Sequence, residues 1–325
     1  MKKIYILFVV LFFSITTIFL GGCKDKKDKI TLGEVTHSVF YAPQYIALSE
    51  GIFESYGLDV EILLISGADK VMTSLLSEDI EIGLMGPEAS IYVYAQGRKD
   101  YAITFAQLTQ RDGTFIVGRE KIDDFTLEDM RGKSILGGRK GGMPFMTLEY
   151  ALKENNVYED VNVRSDVAFA AMIGAFTQGE GDFTTAFEPN ATELELNGKG
   201  YVLAAVGNYT DEVAYTCYQA LKSYMDNNDD TIIKFTNAIA DSLQWVQSHT
   251  DMEVALSIHQ YFKETNIDVL ANSIKRYREI NVWANTPYLN EDEFEHLQDV
   301  IIASGELDKY MPYNVLVNNK FLTKR

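Results

Sequence analysis

The first hundred residues alternate between short apolar runs of strand length and segments with helical spacing. Strands are predicted at residues 30–36, 58–65, 80–85 and 102–108. Helices are predicted between them. The first covers residues 44–56 with an interruption at Gly51, the second carries Val71, Leu75 and Leu76 on one face, and the third covers residues 89–96. This alternation is typical of a mostly parallel sheet that helices cover on both faces.

A second unit of the same kind follows an apolar run at residues 114–118 and extends roughly over residues 119–206. Its predicted strands lie at residues 133–136, 162–165, 182–187 and 201–206, and its predicted helices at residues 145–155, 168–176 and 191–196. Thr126 is a suitable N-cap for one further short helix. Two such units in a chain of 325 residues predict two domains.

After Tyr215 the pattern becomes helical. Apolar residues recur at helical spacing in residues 230–248, and further helices are predicted at residues 252–262, 267–283 and 290–303. No sheet is predicted for this block, so we expect it to pack against the first α/β unit.

The N-terminus has the pattern of a secretory signal, with Lys2 and Lys3 before an apolar run over residues 4–20. Gly21 and Gly22 directly before Cys23 resemble the lipobox of bacterial lipoproteins, in which the cysteine thiol is acylated. The alternative is a membrane-spanning anchor, because the run is nearly long enough. The cysteine favours a lipoprotein signal peptide at residues 1–22, lipidation of Cys23, and a disordered tether at residues 23–29.

Composition excludes some classes of function. The formal net charge of −18 argues against nucleic-acid binding, which depends on neutralising phosphates. The 4 histidines lack the spacing of a helical metal site, so we expect neither a metal nor a cofactor. The other cysteine, Cys217, lies in an apolar run and is predicted to be a small buried side chain.

A glycine-rich turn, GGRKGGMP at residues 137–144, lies between a predicted strand and a predicted helix. Glycines let the backbone approach a ligand closely, and Pro144 suits the first helical position. The helix N-terminus, together with Arg139 and Lys140, favours the polar or anionic end of a small molecule. The alternative is an ordinary surface turn. The glycine spacing does not match a nucleotide-binding loop.

The two α/β units share a local pattern around Glu88 and Glu188. In each unit an acidic residue precedes a strand, and a Pro–Glu or Glu–Pro turn then leads into a helix. Ligands of open α/β sheets lie outside the carboxyl ends of the strands. We therefore expect the two glutamates to face each other across a cleft. The alternative is that both are favourable charges at helix N-termini.

Several stretches together resemble the solute-binding lipoproteins of bacterial ABC importers, in particular the nitrate/sulfonate/taurine and thiamine-pyrimidine-precursor group. They are YAPQYIA at residues 41–47, GIFESYGLDV at 51–60, IGLMGPE at 82–88, LEDMRGK at 127–133 and GEGD at 179–182. The resemblance covers nearly all of the chain after the signal. It implies a monomeric, extracytoplasmic binding protein that is not an enzyme, anchored by the N-terminal lipid, with a small-molecule solute and ABC permease subunits as partners.

The fold implied by this resemblance is the two-lobed type II periplasmic-binding-protein fold, an α/β fold with mixed sheets and C-terminal helices. Lobe one would comprise residues 30–114 and 212–325, and lobe two residues 115–211. Two crossing segments, near residues 114–118 and 208–215, would join the lobes, which close on a ligand like a hinge.

The resemblance also implies that the ligand meets the turns after the strands. The candidates in lobe one are His37, Phe40, Tyr41, Ala68, Asp69 and Glu88, and Gln110 and Arg111 precede the first crossing. The candidates in lobe two are Arg139, Gly141, Gly142, Met143, Phe187 and Glu188.

Two ligand classes fit these candidates. An aromatic nitrogen heterocycle, such as a thiamine pyrimidine precursor, suits the rings of Phe40, Tyr41 and Phe187 and the carboxylates of Glu88 and Glu188. A sulfonate, taurine or nitrate suits the arginines and the glycine-rich turn. We expect the heterocycle, because two glutamates oppose a purely anionic ligand. The first turn, however, lacks the Asp-Trp-type opening of the thiamine-precursor branch.

A function of another class is a pyrimidine-synthase-like enzyme on the same fold. Eukaryotic members of the pyrimidine group use an active-site histidine, and His37 is the histidine nearest the expected cleft. An exported lipoprotein has no evident need for that chemistry, so the sequence favours binding over catalysis.

Overall fold

The computed structural model describes residues 27–323. The predicted signal peptide and Cys23 lie outside the described residues. The first strand begins at Asp28, where the sequence predicted a disordered tether to residue 29. Asp28 and Lys29 are ordered because they pair with Leu58 and Asp59 of the neighbouring strand.

The first sheet contains the four strands predicted for the first α/β unit and one strand from much later in the chain. They are β1 (Asp28–Glu34), β2 (Leu58–Leu64), β3 (Ile82–Met85), β4 (Ala102–Thr109) and β10 (Thr216–Leu221), in the order β2-β1-β3-β10-β4. Strand β1 is parallel to β2 and β3, whereas β10 is antiparallel to β3 and β4.

Strand β10 corrects the prediction that the chain is helical after Tyr215. All residues from Thr216 to Leu221 are buried, because β10 is a central strand covered on both faces. A short, continuously buried run has no alternation, so its periodicity does not distinguish a strand from a buried helix. Cys217 lies in this strand with 0% exposure, which confirms that it is a small buried side chain.

The helices of the first unit follow the predicted order. They are α1 (Ala42–Ser49), α2 (Ile52–Ser55), α3 (Ala68–Leu76) and α4 (Glu88–Ala95). The predicted interruption lies at Gly51, whose φ of 65° separates α1 from α2. Glycine adopts this left-handed conformation without the steric cost that a Cβ atom would bring.

The second sheet is also mixed. Its strands are β5 (Phe115–Gly118), β6 (Ser134–Leu136), β7 (Asn162–Arg164), β8 (Phe183–Ala186) and β9 (Tyr201–Ala205), in the order β7-β6-β8-β5-β9. Its helices are α5 (Met143–Glu154), α6 (Met172–Thr177) and α7 (Asn190–Leu196). The helix predicted at residues 168–176 is instead a 3-10 turn (Phe169–Ala171) followed by α6. Two mixed sheets with helices confirm the predicted α/β class.

The C-terminal part of the described chain is a helical block that returns to the first sheet, as predicted. Its helices are α8 (Lys222–Asn227), α9 (Asp229–Ser248), α10 (Asp251–Ile258), α11 (Ile267–Glu279), α12 (Glu291–Ala303) and α13 (Tyr313–Leu316). Phe235 of α9 stacks on Phe53 of α2 and contacts Tyr218 of β10, each with ring centroids 5.0 Å apart.

Helix α11 ends at Glu279, four residues before its predicted end. Trp283 leaves the helix and pairs with Thr109 at the end of β4. Its indole N–H donates a hydrogen bond to the Phe40 carbonyl at 2.9 Å.

Two segments connect the sheets, at residues 110–114 between β4 and β5 and at residues 206–215 between β9 and β10. They lie against each other, because the Val213 amide donates to the Gln110 carbonyl at 2.9 Å. Their contact is close at Gly207, where a Cβ atom would lie 2.5 Å from the Asp112 carbonyl oxygen. Among residues 27–323, no helix has both the length and the apolar character that spanning a bilayer requires.

Candidate functional site

A cavity of about 630 Å³ lies between the two sheets. Segments that follow strands of both sheets line it, at residues 35–38 after β1, 66–70 after β2, 142–145 after β6, 165–170 after β7 and 185–188 at the end of β8. Tyr215 and Thr216, where the second connection enters β10, also line it. Carboxyl ends of strands are where open α/β sheets bind ligands.

The glycine-rich turn contributes Arg139 and Gly142 to the cavity wall. The turn depends on glycine at Gly138 and Gly141, whose φ values are 87° and 77°. Helix α5 begins at Met143, so Pro144 is its second residue and not its first. The Arg139 guanidinium lies 3.6 Å from the Asp69 carboxylate of α3, and both side chains are more than half exposed. This ion pair therefore joins elements of the two sheets at the solvent edge of the cavity.

Glu88 is the most unusual polar group of the lining. It is 2% exposed, and its Oε2 atom has no hydrogen-bond partner among the described residues. The side chain folds back over Gly86, where a Cβ atom would lie 1.9 Å from Oε2. Burial raises the pKa of Glu88 to about 7, although the backbone N–H groups at the start of α4 and the Arg139 charge act in the opposite direction.

Aromatic side chains surround the cavity, but Phe40 is behind its wall. Tyr41, Phe169, Phe187 and Tyr215 line the cavity. Phe40 is 0% exposed and its ring centroid lies 5.0 Å from that of Phe187, so it supports the lining ring instead of meeting a ligand. The sequence pattern could not separate these roles, because both residues follow strands.

Contrary to the sequence prediction, the Glu188 carboxylate does not face Glu88 across the cavity. It lines the cavity, yet its carboxylate is 0% exposed and is held by helices α7 and α11. It accepts hydrogen bonds from the Thr192 amide and hydroxyl at 2.9 Å and from Arg276 at 3.1 Å. Arg276 also binds Glu195 of α7 at 2.6 Å. We call Glu188, Thr192, Glu195 and Arg276 the rear clasp.

The backbone of Glu188 strengthens this connection. Its carbonyl accepts a hydrogen bond from the Ser38 hydroxyl at 2.7 Å, and its amide donates to the Tyr277 hydroxyl at 2.8 Å. The β8–α7 turn of the second sheet is thus attached to two elements that pack on the first. The Glu188 carboxylate is engaged within the protein and is not free to accept hydrogen bonds from a ligand.

His37 lies at the exposed edge of the cavity, and both its ring nitrogens have partners. One nitrogen contacts the buried Glu34 carboxylate at 3.3 Å and the other contacts the Tyr261 carbonyl at 2.9 Å. The hydrogen bond with Glu34 raises the pKa of His37. The ring also stacks on Phe262, with centroids 4.5 Å apart. These contacts join the first turn to the helical block.

A buried carboxyl that the sequence reasoning missed lies in the first connection. Asp112 is 0% exposed and accepts hydrogen bonds from the Thr114 amide and hydroxyl at 2.6 Å. The Thr147 hydroxyl of α5 donates to it as well. Burial raises the pKa of Asp112 to about 6. Because it links the connection to α5, its role is to position the second unit.

Ten of the predicted site residues line the cavity: His37, Tyr41, Ala68, Asp69, Glu88, Arg139, Gly142, Met143, Phe187 and Glu188. Phe40, Gln110, Arg111 and Gly141 do not. Gln110 donates to the Asn281 carbonyl at 3.1 Å, and Arg111 donates to the Gly207 carbonyl at 3.2 Å, so both side chains stabilise the connections. Residues 165–170 were missed although they follow a predicted strand, and Tyr215 was missed because β10 was not predicted.

This architecture is the periplasmic-binding-protein fold, as comparison with solved structures shows. The alkanesulfonate-binding protein SsuA from Xanthomonas axonopodis pv. citri, bound to MOPS, superposes with a TM-score of 0.73 at 14% identity, over 90% of this chain and 99% of that chain. The nitrate-binding protein NrtA from Synechocystis PCC 6803 superposes with a TM-score of 0.66 at 16% identity, over 86% of this chain and 81% of that chain. The predicted fold is therefore confirmed.

Within this fold, the chain belongs to the NMT1/THI5-like family, which matches residues 39–253. A relative from Bacillus subtilis (strain 168), named "Putative binding protein YtlA", is 44% identical over 309 residues, which cover 94% of this chain and 92% of that protein. The family predicted from the sequence motifs is thus confirmed.

Proposed function

We propose that this protein is an extracytoplasmic solute-binding protein, which captures a small organic solute between two lobes and delivers it to an ABC import permease. The observation that carries the proposal is the cavity between the carboxyl ends of two sheets, with the unpaired Oε2 atom of Glu88 in its wall. In this proposal, lobe one comprises residues 28–114 and 212–323 of the described chain, and lobe two comprises residues 115–211. The binding function in the names of the relatives supports this role.

The solute that fits this cavity best is an aromatic nitrogen heterocycle, such as a thiamine pyrimidine precursor. The rings of Tyr41, Phe169 and Phe187 offer apolar faces, and Glu88 offers an unpaired oxygen. Because Glu188 is held in the rear clasp, polar recognition in this proposal depends on Glu88.

A sulfonate, taurine or nitrate is the second candidate. Arg139 and the start of α5 line the cavity, and an arginine beside a helix N-terminus favours an anion. Asp69 lies 3.6 Å from the Arg139 guanidinium and already partly neutralises it. This arrangement favours the heterocycle over the anion.

A pyrimidine-synthase-like activity is less well supported. The ring nitrogens of His37 are engaged with Glu34 and Tyr261, so the histidine is held by the protein at the cavity edge. The curated relative is named as a binding protein and not as an enzyme. Binding without catalysis is therefore the function we propose.

The proposed location is the outer face of the cell membrane, where a lipid on Cys23 anchors a monomeric protein. The pattern of residues 1–23 supports the anchor. Incorporation of a labelled fatty acid into the wild-type protein, and its loss in Cys23→Ala, would establish it. An equally labelled Cys23→Ala protein would refute lipidation at this residue.

A matched pair of tryptophan substitutions tests solute capture in the cavity. Ala168, which directly precedes the 3-10 turn Phe169–Ala171, lines the cavity, whereas Ala171, the last residue of that turn, does not. Isothermal titration of the chain from Lys24 onward, against pyrimidines, flavins, sulfonates, taurine and nitrate, identifies the solute. Ala168→Trp should then abolish its binding, because the indole occupies the cavity, and Ala171→Trp should retain it. Equal binding by both variants would place the solute elsewhere.

A further inference from the structure

We infer that Glu88 recognises the solute as a neutral carboxylic acid, and that the solute therefore presents a hydrogen-bond donor and an acceptor side by side. The edge of a 4-aminopyrimidine is of this kind, whereas a permanent cation and a sulfonate are not. This inference rests on the proposed function and specifies the chemistry of the same cavity.

The first support is the isolation of the Glu88 carboxyl. It is 2% exposed and forms no ion pair within residues 27–323. The cation that acts on it, Arg139, lies at the solvent edge beside Asp69. A carboxylate buried away from a cation is disfavoured, so the protonated form is stabilised.

The second support is the neutrality of its surroundings. Besides Arg139, the titratable groups that interact with Glu88 are the phenols of Tyr41, Tyr92 and Tyr215 and the thiol of Cys217. Burial raises the pKa of each, so all four are uncharged at neutral pH. The other charged groups of the cavity wall are His37, Asp69, Lys70, Asp166 and Glu188, none of which pairs with Glu88.

The third support is the unpaired Oε2 atom itself. A buried polar atom without a partner is costly, and such atoms are rare in folded proteins. A protonated carboxyl group offers an O–H donor and a carbonyl acceptor from one position. A ligand edge with a ring nitrogen or carbonyl beside an N–H satisfies both, whereas nitrate and sulfonates offer acceptors alone.

Binding of neutral cytosine, which carries such an edge, tests the inference by its dependence on pH. Burial places the pKa of Glu88 at about 7, so the affinity of the wild-type protein for cytosine should fall about thirtyfold between pH 6 and pH 8.5. Glu88→Gln carries a permanent donor and acceptor and should remove this dependence. At pH 8.5 the variant should therefore bind cytosine more tightly than the wild-type protein, and Glu88→Ala should bind weakly at every pH.

Glu149→Gln is the matched control. Glu149 is also a buried glutamate, 4% exposed, with an Oε2 atom that lacks a hydrogen-bond partner among the described residues. It lies on α5 and does not line the cavity. This variant should keep the wild-type pH profile.

Three results of the binding experiments would overturn the inference. The first is that 4-amino-1-methylpyrimidinium binds more tightly than cytosine at pH 8.5 and that Glu88→Gln loses this binding. Such a result would show that Glu88 is ionised and selects a cation. The second is that neither cytosine nor 4-aminopyrimidine binds at millimolar concentration while a sulfonate or nitrate does. This result would overturn the inference but leave the proposed solute-binding function intact. The third is a cytosine affinity that does not change with pH.

A ligand-free measurement guards against a variant that fails to fold. In wild-type protein labelled with carboxyl-carbon-13 glutamate, NMR should show one glutamate that titrates near pH 7 and is lost in Glu88→Ala or Glu88→Gln. If every glutamate titrates below pH 5.5, the inference is wrong whatever the ligand proves to be.

Discussion

The buried carboxyl of Glu88 should make the free energy of unfolding depend measurably on pH. Burial raises its pKa from the usual 4.5 to about 7. The folded protein therefore binds this proton more tightly than the unfolded chain does. Between pH 4.5 and pH 7 the folded state holds more protons, so the contribution of Glu88 to stability falls as the pH rises. Replacing Glu88 by glutamine removes that contribution.

The magnitude follows from the two pKa values. A difference of one in pKa corresponds to about 1.4 kcal/mol. The change from 4.5 to about 7 thus corresponds to about 3 kcal/mol, which is lost progressively over this interval and fully lost above it. Relative to the wild-type protein, Glu88→Gln should gain about 3 kcal/mol in its free energy of unfolding between pH 4.5 and pH 8.

Urea unfolding of both proteins at several pH values measures this difference. Asp112, whose pKa burial raises to about 6, titrates in the same interval, but it is present in both proteins and cancels in the comparison. Equal m-values would show that the unfolded states are comparable. A difference between the two proteins that stays constant from pH 5 to pH 8, or that decreases, would refute the account of Glu88 as a carboxyl protonated by burial.

Two further substitutions test how the lobes and the cavity wall are held. Arg276→Ala removes the cation of the rear clasp and leaves the Glu188 carboxylate buried without it. The free energy of unfolding, measured with urea, should therefore fall by about 3 kcal/mol. Arg164→Ala breaks only exposed ion pairs and should lower it by less than about 1 kcal/mol. Gly113→Ala would place a Cβ atom 2.2 Å from the Phe40 ring, so it should lower the free energy of unfolding by about 1–3 kcal/mol and weaken solute binding.

A specific result would contradict each of these two predictions. Equal effects of the two arginine variants would show that the rear clasp does not stabilise the fold. For the glycine variant, the control is Gly174→Ala on α6, where a Cβ atom meets nothing within 4 Å and a small stabilisation is expected. If Gly113→Ala were as stable as Gly174→Ala, the contact between Phe40 and the first connection would not be close.

Local chemistry predicted much of this fold because the sequence patterns are local. The interruption at Gly51 and the N-cap at Thr126, which precedes a 3-10 helix (Leu127–Met130), depend on neighbouring residues, and both were predicted correctly. Strand β10 was missed because its burial on both faces comes from β3 and β4, which lie more than a hundred residues earlier in the chain. A central strand of this kind carries no alternation that a periodicity argument could use.

In the candidate site, too, local sequence predicted the positions of residues, whereas residues distant in the chain determine their surroundings. The positions of Glu88 and Glu188 at the ends of equivalent strands followed from the sequence. Their different environments did not, because Arg276, which binds Glu188, lies 88 residues later. Likewise, the separation of Phe40 from the cavity depends on Trp283 and Phe187, which are distant in the chain.

The most direct test of solute capture is a crystal structure of the chain from Lys24 onward with the solute that titration identifies. We expect the solute in the cavity between the two sheets, beside the rings of Tyr41 and Phe187, with a hydrogen bond to Glu88. A solute bound outside this cavity would contradict the proposed function. A solute inside the cavity without contact to Glu88 would contradict the recognition that we infer.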